Sequence, residues 1–173
     1  MAKVFTIDKG LANTWEMTAV VASGGAATIA RGTPTQRVDV DAATATGAVI
    51  PMLDGDGDVG AAEGAFAGIA KSQSNDTASA AGTVELYAPV PGIVYRGFAK
   101  TGSAADTQTE LNVLVSKRVV FDLTAGDWTV DTAAADALVN CVVIVGGYPQ
   151  SSEVLFVYSP KGTIFDNSTA VTS

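Results

Sequence analysis

The 173-residue sequence contains no histidine and only one cysteine. Without histidine it lacks the commonest general base and the commonest transition-metal ligand, which leaves only lysine or carboxylate versions of a nucleophilic triad. Cys141 lies in the apolar run Leu138–Val145, where a lone thiol reads as a small core residue, and one cysteine forbids an intrachain disulfide. Charged residues are scarce at 16%, and 18 acids against 10 bases give a net charge of −8. That balance repels phosphate backbones and excludes nucleic acid as the expected partner. No run approaches the ~20 apolar residues of a membrane span. Met1–Lys9 has no apolar signal-peptide centre, so synthesis in the cytoplasm is expected. The chain has no C-x-x-C, and Ser23-Gly24-Gly25 and Gly146-Gly147 match neither a P-loop nor a dinucleotide fingerprint. Glycosidase-type carboxylate pairs stay open with 18 acids, but these fall mostly in turns or at outward strand positions, where solubility accounts for them. The expectation is therefore no enzyme and no cofactor.

What the sequence does have is glycine, 18 of them, and long runs of Ala, Thr, Ser and Asp. Few segments carry the Leu, Glu, Lys and Gln of an amphipathic helix. Turn signals recur throughout, with short strand patterns between them. In Thr83–Tyr87, Val84 and Leu86 fall on one face and Thr83, Glu85 and Tyr87 on the other. Phe66–Ala70, Thr83–Val90 and Ile93–Phe98 read as a meander, with Pro91-Gly92 as a tight reversal. Upstream, residues 14–31 read as a hairpin, Gly32–Thr35 as a break and Val38–Ala42 as an alternating strand. Ala48–Leu53 reads as a strand whose Pro51 favours a sheet edge. Downstream, Leu111–Ser116 reads as a strand that Val119–Leu123 continues. Leu138–Val145 reads as a strand buried on both faces, turned by Gly146–Pro149, and Val154–Tyr158 as the strand that pairs back. The expected fold is all-β, an antiparallel sandwich or barrel-like domain with an extended N-terminal arm and little helix. Residues 1–60 are expected to form the arm and a small β subdomain, and 61–173 the main β domain with a frayed C-terminal tail.

One loop offers metal chemistry. Asp54, Asp56 and Asp58 alternate with glycine, as a hard cation such as Ca²⁺ prefers. Val59 and Ala65 then stand where a calcium-binding EF-hand loop needs Gly and a bidentate Glu. A solvated acidic turn is the preferred reading, with these three aspartates the only candidate metal ligands.

The central stretch also carries a resemblance. Gly68-Ile-Ala-Lys71, the Ala80-Ala81-Gly82 step, Val84-Glu-Leu-Tyr87 and Pro91-Gly-Ile-Val94 resemble the cement or decoration proteins that tailed bacteriophages add to the outside of their capsids. The similarity covers about residues 60–120. It implies a structural virion protein on the capsid exterior that bridges major capsid protein subunits, commonly as a homotrimer, with no nucleic acid or membrane partner. Alanine-rich strands bury little area, so stability drawn from neighbours fits that expectation. The arm Ala2–Lys9 and the strand Ala48–Leu53 are the expected contact elements. The alternative is a receptor- or carbohydrate-binding β module, with Trp15, Trp128, Tyr148 and Tyr158 as stacking faces. Aromatics at 7% are few for that task.

Overall fold

The computed structural model describes residues 5–9, 15–21, 28–37, 48–52, 66–77, 80–90, 92–136, 140 and 142–159. The fold is all-β, with a single short α-helix among the described residues. Five strands, β2 (Glu16–Val21), β3 (Pro34–Arg37), β4 (Val49–Pro51), β5 (Phe66–Ala70) and β6 (Gly82–Tyr87), close a barrel in the order β2-β4-β3-β5-β6. Six more form a curled sheet: β1 (Thr6–Lys9), β7 (Val94–Phe98), β8 (Arg118–Thr124), β9 (Asp127–Asp131), β10 (Val142–Tyr148) and β11 (Glu153–Tyr158), in the order β1-β7-β11-β10-β8-β9.

The two sheets share one connectivity. In the barrel, the first strand pairs antiparallel with the fifth, the fifth with the fourth, the fourth with the second and the second with the third. The third then meets the first in parallel at Val21 and Val49. From β7 onward the chain repeats that pattern: β7 with β11, β11 with β10, β10 with β8, β8 with β9, all antiparallel. Ala99, just past β7, makes a parallel bridge to Val130 of β9, and the Lys100 amide donates to the Val130 carbonyl at 2.8 Å. The curled sheet is thus a second barrel held shut at one seam.

The interiors differ. The first barrel is filled by small side chains, among them Ala19, Val21, Val49, Ala67, Ala70 and Val84, and Ile29 is fully buried among them. Ile29 is held by a reciprocal pair with Ser74, whose hydroxyl accepts from the Ile29 amide at 2.8 Å and whose amide donates to the Ile29 carbonyl at 2.9 Å. The second interior is aromatic. Phe5, Phe66, Tyr95, Phe121, Phe156 and Tyr158 form one network with centroids 4.4–6.3 Å apart. Such pairs contribute about 0.5–1.5 kcal/mol each beyond burial. An irregularity where β3 meets β5 sets which core each β5 residue joins: Thr35 faces Gly68 and Gln36 faces Phe66, skipping Ala67. Ala67 therefore lines the first barrel, while Phe66 reaches the aromatic core against Tyr158 at 4.4 Å.

Several sequence expectations are corrected. Residues 28–30 form no strand, and β2 pairs with β6 and β4, so residues 14–31 are not a hairpin. The presumed break at Gly32–Thr35 runs into β3, where Pro34 takes the first strand position. Pro51 meets Thr35 beyond the single β2–β4 bridge, so its missing donor costs no second ladder. β6 and β7 belong to different sheets, so the segment around Gly92 crosses between barrels and does not close a hairpin. The Leu111–Ser116 segment is helical: α1 spans Gln108–Leu114. Thr107 caps it, its hydroxyl accepting from the Glu110 amide at 3.2 Å while its own amide donates to Glu110 Oε2 at 3.0 Å. β10 buries Val142 and Ile144 but exposes Val145, and it runs on through Gly146 and Gly147. The division expected at residue 60, the 38–42 strand and the C-terminal tail from 160 lie outside the described residues.

Lys100 clips the second seam, its Nζ 2.5 Å from Asp122 Oδ1 and 3.2 Å from Asp131 Oδ2. Hydrogen bonds to Asp122 and Asp131 hold this amine above its ordinary 10.5. Burial pushes the Tyr95 hydroxyl well above its ordinary 10.0. Both groups bind protons more tightly folded than unfolded, so their stabilisation is complete below those ordinary values and is lost as pH rises past them. Melting temperature is expected to fall above about pH 10, and less steeply in Tyr95→Phe. An identical alkaline slope in that variant would contradict the burial of Tyr95.

Candidate functional site

Among the described residues, the ion pairs join side chains of neighbouring strands or of residues just past them, and Asp122 is the one buried partner. On the first barrel Lys71 Nζ lies 2.6 Å from Glu16 and 3.7 Å from Glu85, all three partly exposed. On the second, Arg96 meets Glu153 at 3.6 Å and Lys100 bridges Asp122 and Asp131. The partly exposed pairs of Lys71 fix register more than they add stability. Among the described residues no three acidic or cysteine side chains are grouped to hold a metal. Asp54, Asp56, Asp58 and Cys141 lie outside the described residues. Of the four candidate stacking rings, Trp128 and Tyr158 are buried in the aromatic core. Trp15 and Tyr148 are exposed, Trp15 just before β2 and Tyr148 at the end of β10.

Two surfaces remain. The first surrounds α1. Leu111 and Leu114 face inward, and Gly147 leaves room for Leu111, since a Cβ there would stand 2.7 Å from a leucine methyl. The Ser116 amide donates to the Ile144 carbonyl at 2.7 Å, fastening the helix end to β10. This docking turns Val113 outward at 77% exposure, and Val115, Val145 and Tyr148 are also exposed on α1, its C-terminal turn and β10. Sequence reasoning missed this group because it assigned Val113 and Val115 to a strand.

The second surface is the seam of the first barrel. β2 and β4 pair only at Val21 and Val49, so Glu16–Val20 have a neighbour on the β6 edge alone among the described residues. A cleft of about 360 Å³ runs along that edge, walled by Met17, Ala19, Val49 and Ala67, with Arg37 at its rim. Arg37 makes no ion pair among the described residues.

The expected contact elements meet different fates. Residues 6–9 of the arm are the edge strand β1, paired with β7, and Phe5 is buried against Phe121 and Phe156. Val49–Pro51 of the Ala48–Leu53 strand is barrel wall, and Val49 lines the seam cleft. No protein-family model, curated protein or solved structure matches this chain.

Proposed function

We propose that this chain is a structural virion protein, a cement or decoration protein that binds the outer surface of a phage capsid and bridges major capsid protein subunits as a homotrimer. The observation that carries the reading is the exposed apolar group Val113, Val115, Val145 and Tyr148 on an otherwise acidic chain. Exposed apolar side chains gain about 25 cal/mol per Å² when a partner covers them, whereas a chain of net charge −8 gains nothing from exposing them. Pairing of its charges between strands and two separately packed interiors suit a bridging piece. Both features fit an assembly role better than a catalytic one.

The test uses heads of the phage that encodes the chain, stripped of it and reconstituted with wild type or with Val113→Lys/Val145→Lys. The expected result is occupancy reduced about tenfold or more with an unchanged melting temperature, since both side chains already face water. Equal occupancy would sink the docking face. Sedimentation of the free protein at high micromolar concentration tests the trimer, and a monomer there would contradict it. A carbohydrate-binding role is disfavoured because the two exposed rings of the four candidates, Trp15 ahead of β2 and Tyr148 at the end of β10, adjoin different sheets.

A further inference from the structure

The shared connectivity of the two barrels allows their seams to be compared residue by residue. The closing pair Val21–Val49 of the first corresponds to Ala99–Val130 of the second. Two residues before each closure stand Ala19 and Gly97, opposite the buried valines Val84 and Val154. Met17, opposite Leu86, corresponds to Tyr95, opposite Phe156. Arg37, opposite Val49, corresponds to Phe121, opposite Val130.

In the second barrel this seam is occupied. β7 gives one edge to β11, and on the other it pairs antiparallel with β1 over Val94–Arg96 before Ala99 meets β9. Phe5, just ahead of β1, fills the gap. Its ring lies 4.8 Å from Phe121, and a Cβ on Gly97 would stand 2.5 Å from it. In the first barrel the same edge of β2 has no described strand, and the cleft lies where β1 and Phe5 would be.

We infer that the seam of the first barrel is an acceptor slot for an extended segment of another protein, which adds as a strand antiparallel to Glu16–Val20 and places a carboxylate side chain against Arg37. Backbone groups along the β2 edge that no described strand covers supply the hydrogen bonds of strand addition. Ala19 and Ala67 line the cleft with methyl groups alone, whereas in the second barrel Gly97 makes room for Phe5. The exchange of Phe121 for Arg37 changes the chemistry of the incoming residue: an aromatic ring suits the second seam, an acid the first. The net charge of −8 opposes an acidic segment at long range, so the attraction has to come locally from Arg37 at the point of contact. The slot stands whether or not the chain decorates a capsid, so its test needs no virus.

Two capped heptapeptides serve as probes, Thr-Val-Thr-Glu-Thr-Val-Thr and the same peptide with a central lysine. Each is titrated into the full-length, isotope-labelled chain and followed by amide chemical shifts and hydrogen exchange. The expected result is that the glutamate peptide shifts the Met17–Val20 amides, newly protects those of Thr18 and Val20, which point away from β6, and shifts Arg37, and that the lysine peptide binds at least about fivefold more weakly. In Arg37→Glu the preference should reverse. The wild-type comparison of the two peptides stands even if that variant fails to fold. Shifts confined to other strands, no shift at millimolar peptide, or equal binding of both peptides would overturn the slot. Protection of the Thr18 and Val20 amides by self-association of the chain, with no response to either peptide, would make the occupant a second copy and overturn the assignment to another protein.

Discussion

Phe5→Ala is expected to lower stability by about 3–4 kcal/mol, near the loss typical of a buried phenylalanine. Although Phe5 lies near the N-terminus, its ring is only 4% exposed and touches both Phe121 and Phe156. Gly97 offers it a site that any larger residue would block. Truncation leaves a cavity at the seam and removes the anchor that holds β1 on β7. Thermal melts should show a drop of about 6–12 °C, together with loss of hydrogen-exchange protection in Thr6–Lys9. Deleting residues 1–10 should do at least as much damage. The arm therefore cannot be treated as a free contact element, because its described part is built into the chain's own sheet. A melting temperature within a degree or two of wild type would mean that Phe5 does not fill the second seam.

Gly68→Ala is expected to cost about 4 kcal/mol or more and to open the first barrel. Gly68 has φ of +140°, a region L-residues avoid, and a Cβ there would lie 2.3 Å from the Tyr87 carbonyl oxygen. Neither strain is relieved by a rotamer change, because the clash is with the backbone of β6. Denaturant unfolding should show either a lower midpoint or a separate early transition for the barrel. Wild-type stability in this variant would contradict the close approach of β5 and β6 and the irregular β3–β5 pairing that directs Phe66 and Ala67 to different cores.

Much of the strand content was legible because alternation survives in single strands: Val84 and Leu86 face inward as their spacing says, and β11 alternates throughout. Helix α1 was misread because Leu111, Val113 and Val115 also alternate. The better signal was the capping box Thr107-Gln-Thr-Glu110, with Leu111 and Leu114 three apart on one face. Pairing was not legible, since hairpins were assumed where the chain crosses between barrels. The repeat was hidden for the same reason: equivalent positions carry Met17 and Tyr95, or Arg37 and Phe121, and only connectivity relates them. The seam cleft was invisible in sequence because it depends on how few residues of β2 and β4 pair.

The proposed role as a capsid decoration protein is tested most directly by counting and locating the chain in purified particles of the phage that encodes it, by quantitative mass spectrometry and cryo-electron microscopy. The prediction is density on the outer face of the head, between neighbouring major capsid subunits, with copies in fixed proportion to the repeating units of the shell. Absence of the chain from the particle, or a few copies confined to the tail, would contradict it.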